Sequence, residues 1–152
     1  MKPRTKARSV ALQALYELDL TDHKIGLVLE NRFKEIELSP DLQEFALEIV
    51  QGVAPIRGIL DEHIAEHAPE WPIDQISIID RNLLRIALWE FAIKGDTPLK
   101  VAINEAIELA KKFGSDSTPR FVNGVLGSLA AQENEIRIAL HRRLDQKKDE
   151  DE

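Results

Sequence analysis

The amino-acid sequence predicts an all-α protein, and three observations carry that prediction. Apolar residues recur at helical spacing in one segment after another; the seven prolines and seven glycines fall largely where those segments begin or end; and no segment shows the period-two alternation of a half-buried strand. The chain has 152 residues, 43% of them hydrophobic, and a net charge of −7. A chain of this size buries roughly 68–70% of the surface it exposes when unfolded, so a single core suffices. The absence of cysteine excludes a disulfide scaffold, a thiol nucleophile, a Cys-ligated zinc and an iron–sulfur cluster. No apolar run approaches the roughly 18 residues of a membrane span, and the basic start leads into an amphipathic pattern rather than a solid apolar stretch. A cytoplasmic protein is expected.

The elements follow in order. Val10, Ala11, Ala14, Leu15 and Leu18 define a first helix between Pro3 and Leu20, and Ile25, Val28, Leu29 and Phe33 a second over Lys24 to Lys34. Ser39-Pro40-Asp41 supplies an N-cap, a proline at the first helical position and an acid facing the positive end of the helix dipole. The third helix opening there is expected to run to about Glu66, with a kink at Pro55. Ala68-Pro69-Glu70-Trp71-Pro72 is a break. Ser77-Ile78-Ile79-Asp80 fits a capping box, and the stripe it opens, from Leu83 to Ile93, is broad enough to mark the central helix. Thr97-Pro98 and Thr118-Pro119 start two further helices, Gly114 ends the first of these, and the second continues as far as Leu144. The closing charge run Lys147 to Glu152 is expected to be disordered. The sum is a bundle of six to seven helices.

Chemistry-bearing patterns are few. His63-Ile64-Ala65-Glu66-His67 matches the H-x-x-E-H spacing of certain zinc enzymes, but a third ligand and a cleft are not evident, and a solvated helix end with a histidine near the C-terminal dipole is the favoured reading. No metal site is therefore assigned. The scattered glycines form no phosphate-binding loop, no nucleophile elbow is present, and no cofactor or catalysis is expected. Charge is the departure from average: Lys2, Arg4, Lys6 and Arg8 all precede the first acid, Glu17, in an otherwise acidic chain. They form either a solvated terminus or a flexible arm that follows a phosphate backbone. Arg120 beside Phe121 adds a cation next to a stacking surface, although Phe121 fits the core stripe equally well.

Several segments together resemble the NusB family of bacterial transcription antitermination factors. They are Arg8-Ser9-Val10-Ala11-Leu12-Gln13-Ala14-Leu15-Tyr16, then Asp80-Arg81-Asn82-Leu83-Leu84-Arg85-Ile86-Ala87-Leu88-Trp89-Glu90, then Lys100 to Gly114 (KVAINEAIELAKKFG), and finally Arg120-Phe121-Val122-Asn123-Gly124-Val125-Leu126. The resemblance covers residues 1–131 as one RNA-binding helical domain and leaves 132–152 as a charged extension, helical and then disordered. It implies two packed helical subbundles without catalysis. It also implies binding of boxA-type single-stranded RNA in nascent ribosomal RNA transcripts together with NusE, a small-subunit ribosomal protein, so that the elongation complex resists Rho-dependent termination. Lys2, Arg4, Lys6, Arg8, Ser117, Arg120 and Phe121 take the RNA-facing positions, and Tyr16 and Asp80 those expected at the NusE interface. Thr5, Ser117 and Pro119 depart from residues common in relatives. Certain ribosomal RNA methyltransferases share the fold, but this chain lacks the glycine pattern of a cofactor-binding domain. A helical protein–protein adaptor without RNA binding is the alternative, and a homodimer that hides the RNA surface is a further assembly the sequence permits.

Overall fold

The computed structural model describes residues 1–151, and among these the chain forms eight α-helices and no strand. Helix α1 spans Pro3–Leu20, α2 Ile25–Glu35, α3 Pro40–Val53, α4 Arg57–His67, α5 Ile78–Leu88, α6 Leu99–Phe113, α7 Thr118–Ala130 and α8 Glu133–Asp151. The expected long third helix is thus two. Pro55 cannot donate a backbone hydrogen bond, and a 3₁₀ turn at Ala54–Ile56 separates α3 from α4. The last helix is also two, broken at the turn around Ala131 and Gln132. Helix α8 continues through Asp151, where the charge run had predicted disorder; an i,i+4 pair between Lys147 and Asp151 spans its last turn. Helix α1 packs on α2 and α3; α5 packs on α4, α6 and α7; and the two groups meet where α1 crosses α5, giving the two subbundles.

Local signals account for the element starts. Ser77 Oγ accepts from the Asp80 backbone N–H at 3.2 Å, capping α5. Pro40 sits at the first position of α3, as the fixed φ of proline favours. The central helix widens into a π-helical turn at Trp89–Lys94 and ends at Gly95, whose φ of +79° is the left-handed conformation that glycine adopts without strain. Close packing fixes another glycine: a Cβ on Gly52 would overlap the Trp89 indole, so α3 lies directly against the central helix there.

The main core buries Leu12, Leu15, Ile49, Leu60, Ile64, Leu83, Leu84, Leu88, Phe91, Leu109, Leu126 and Leu129 almost completely. Helix α8 joins it through Ile136 and Leu140. A smaller cluster of Ala7, Val10, Leu38 and Ala46 lies under the start of α1. Two polar networks lock the helices across the core. Arg85 donates to Asp61 at 2.8 and 2.6 Å and to Asp19 at 2.8 Å, and Asp19 also accepts from Asn82 and Arg57. Burial alone would lower the Arg85 pKa, but the hydrogen bonds and charges of Asp61 and Asp19 outweigh it and hold the guanidinium above its ordinary value. The second network joins α1 to the π turn through Arg8 and Glu90.

Candidate nucleic-acid interface

The four N-terminal cations do not form a flexible arm. Helix α1 begins at Pro3, and the Lys6 N–H donates to the Lys2 carbonyl at 2.9 Å, so Arg4, Lys6 and Arg8 are helical residues. Residues four apart share a helix face. Arg4 and Arg8 accordingly lie together, their guanidinium carbons 4.8 and 5.0 Å from the Phe45 ring centroid. Arg4 stays exposed, whereas Arg8 is 3% exposed. Arg8 Nε donates to both Glu90 carboxylate oxygens at 3.1 and 2.9 Å, and Nη2 donates to Oε1 at 2.8 Å. Its Nη1 stands 3.5 Å from Glu105 Oε2. Arg8 therefore ties α1 to the core instead of standing free as an arm cation. Thr5, expected in the arm, is also buried and donates to Glu105 at 2.7 Å.

Lys2 and Lys6 occupy the other side of the helix start. Lys2 is exposed and lines a groove of about 680 Å³ with Thr5, Asn104, Glu105 and Lys111. Beyond it, Lys111 and Lys112 end α6, and Gly114 leads into the loop before α7. A Cβ on Gly114 would overlap the Thr118 side chain, so the close turn requires glycine. Ser117 is exposed, its Oγ 3.2 Å from Ser115 Oγ, and its carbonyl accepts from the Phe121 N–H at 3.0 Å. Cations thus stand at the start of α1 and at the end of α6, with Glu105 and Glu108 lining the first groove as well and Glu108 3.3 Å from Lys111 Nζ, and again at the start of α7.

There a second groove, of about 590 Å³, gathers Ser117, Arg120, Phe121, Asp80 and Trp71. Arg120 is exposed; Phe121 and Trp71 are half-buried, each resting on the core while lining the groove. The two roles weighed for Phe121 coexist in one ring. Asp80, which with Tyr16 matches positions expected at the NusE interface, lines this groove, where the turn that caps α5 directs it toward α7. Thr118 fixes it: the hydroxyl accepts from the Ser115 N–H at 2.9 Å and donates to Asp80 Oδ1 at 2.9 Å.

Tyr16 lines a separate groove of about 370 Å³ with Gln13, Glu17, Leu20, Arg32 and Ile79. Tyr16 is 40% and Leu20 53% exposed, an apolar surface bordered by charge. The two grooves flank the start of α5, with Ile79 in one and Asp80 in the other. Sequence reasoning missed Trp71, Lys111 and Lys112. An aromatic ring set between Pro69 and Pro72 in an otherwise polar break was the available signal for the first.

His63 is buried rather than solvated, and its Nδ1 meets the Ile59 carbonyl at 3.0 Å; His67 Nδ1 meets the His63 carbonyl at 2.9 Å. The rings stack with centroids 6.1 Å apart. Each side chain is thus used within α4. Among the described residues no helix is long and apolar enough to cross a membrane.

Comparison with known proteins places this arrangement. A transcription antitermination protein NusB of Dehalococcoides mccartyi is 46% identical over 127 residues, covering 84% of this chain and 89% of that protein. Among solved structures, T. maritima NusB superposes with a TM-score of 0.77 at 30% identity, covering 88% and 94% of the two chains. A structure described as antitermination factors NusB and NusE in complex with dsRNA gives 0.74 at 26% identity, covering 91% and 98%. The sequence model of the NusB family matches residues 5–131, which contain most of α1, the α5 cap and the α6–α7 turn, and the chain belongs to that family.

Proposed function

We propose that the protein is a transcription antitermination factor that binds boxA-type single-stranded RNA of nascent ribosomal RNA transcripts together with NusE, in the cytoplasm, where it helps the elongation complex resist Rho-dependent termination. The observation that carries this reading is a groove in which a cation stands beside a ring: Ser117, Arg120 and Phe121 line one opening, and Lys2 and Lys111 line another. Single-stranded RNA needs both parts, cations for phosphates and rings for splayed bases. Lys2, Arg4, Lys6, Ser117, Arg120 and Phe121 contact RNA in this reading, with Arg8 holding the helix that presents them. The Tyr16 groove receives NusE, an apolar anchor site of the kind protein interfaces favour.

Against a net charge of −7 a handful of cations gives weak binding alone, so a basic partner that extends the surface completes the site. Its membership of the NusB family and a solved assembly of NusB and NusE with dsRNA support NusE and RNA as the partner classes. Gel shifts with boxA-like, scrambled and duplex RNA, with and without NusE, test the proposal. Expected is tightest binding of unpaired boxA-like RNA when NusE is present. NusE binding with no RNA affinity under any condition would make the protein an adaptor and refute it.

A further inference from the structure

The Phe45 ring carries two guanidinium groups, and only one of them is neutralised. The ring is half-buried on α3 and packs against both apolar clusters, so the core sets its position. Arg4 and Arg8, one turn apart on α1, place their guanidinium carbons 4.8 and 5.0 Å from its centroid. Arg8 is buried in its pair with Glu90, and Glu105 stands 3.5 Å from it, so its charge is balanced inside the protein. Arg4 is exposed and makes no ion pair among the described residues. Asp41 and Glu48, four residues before Phe45 and three after it, share its face of α3. Glu48 pairs with Lys94 at 2.9 Å, and Asp41 is exposed without an ion pair among the described residues. The ring, not an acid, therefore holds Arg4.

That choice of support matters for an anion. A carboxylate would hold the guanidinium still but cancel its charge, whereas a ring holds it through its quadrupole and leaves the charge facing outward. A loose arginine loses rotamer freedom when it grips a phosphate; one already resting on a ring has lost part of that freedom beforehand. The buried pair prepares this arrangement. Arg8 tied to Glu90 fixes the rotation of α1, so the residue one turn earlier falls over the same ring, and Glu90 offsets the repulsion between two guanidinium groups placed so close.

We propose that Phe45 is a positioning residue for RNA, holding the Arg4 guanidinium oriented and un-neutralised for one phosphate of a strand that crosses the start of α1 on its α3 side. Lys2 and Lys6 stand on the other side of that start. The inference rests on the RNA-binding reading above and adds to it a ring that acts through Arg4 rather than on the RNA.

A double-mutant cycle tests it, with the full-length protein, NusE and boxA-like RNA. Phe45→Leu keeps an apolar side chain against the core and removes the ring. It should weaken RNA binding by about two- to fivefold, the range of an exposed cation–π contact, with the salt slope unchanged because no cation is lost. Arg4→Gln should weaken binding and flatten the slope by about 0.7. In the Arg4→Gln protein, Phe45→Leu should have no further effect on RNA binding, a result that damage to the fold would not give. Phe45→Tyr, which keeps the ring, should bind like the original protein. Proton NMR of the unsubstituted protein serves if Phe45→Leu fails to fold: the Arg4 side-chain methylene protons should be shielded by the ring current and stay shielded when RNA binds. Equal losses from Phe45→Leu in both backgrounds, binding untouched by Arg4→Gln, or an Arg4 that leaves the ring on binding each overturns this inference while leaving RNA binding intact. Failure of every RNA to bind overturns the RNA-binding reading and this inference with it.

Discussion

Replacing Arg8 by glutamine separates an RNA contact from a folding contact. The Arg8–Glu90 pair has both side chains under 5% exposed. Removing the guanidinium leaves the Glu90 carboxylate buried, with the Thr97 hydroxyl at 3.1 Å as its remaining donor. Breaking a buried pair in this way costs about 3–5 kcal/mol. For a chain of this size each kcal/mol lowers Tm by about 2–4 °C, so Arg8→Gln should melt about 6–20 °C early by circular dichroism. The double variant Arg8→Met/Glu90→Met should recover most of that loss, since no charge is then buried alone. In the cold, where the single variant is folded, the slope of log RNA affinity against log salt should match that of the original protein. Lys2→Gln/Lys6→Gln behaves in the opposite way: stability is retained, and the slope flattens by about 1.4, or 0.7 for each phosphate released. An Arg8→Gln protein that melts normally but loses about 0.7 of salt slope would refute the assignment of Arg8 to the core.

Other perturbations read different parts of the structure. Gly52→Ala drives a methyl into the Trp89 indole and should cost about 1–3 kcal/mol in urea unfolding, against the gain of up to about 1 kcal/mol that Gly→Ala brings in an unobstructed helix. Arg85→Met leaves Asp61 without its partner, while Asp19 keeps Arg57 and Asn82 and both acids reach solvent in part, so a loss of about 3 kcal/mol is expected, the lower end for a broken buried pair, measured by the same unfolding. Tyr16→Ala should weaken NusE binding by about 1–3 kcal/mol in calorimetry with the melting temperature kept, because the ring is exposed; unchanged affinity would remove NusE from that groove.

What the sequence made legible was local. Ser77 before Asp80, proline after Ser39 and glycine after Phe113 each act within a few residues, and the two helix starts and one helix end they imply are the observed ones. The pairing of Arg8 with Glu90 spans 82 positions, and no local pattern names the partner. Yet part of that outcome was contained in two readings that were not combined: a helix beginning at Pro3, and cations at positions 2, 4, 6 and 8. Alternate residues on a helix point about 200° apart, so one helix divides the four cations between two faces. The split that follows puts Arg4 and Arg8 over Phe45 and leaves Lys2 and Lys6 on the far side. The aromatic groove was less accessible, since Trp71 and Phe121 meet only when α7 folds back beside the turn preceding α5. Asp80 shows the same limit at shorter range. Its place at the start of α5 was readable, but the direction of its carboxylate is set by Thr118, one hydroxyl on another helix. The chain's chemistry therefore sits where local signals set the backbone and long-range pairs set the side chains, which is why its family was legible from short segments while the division of labour among its cations was not.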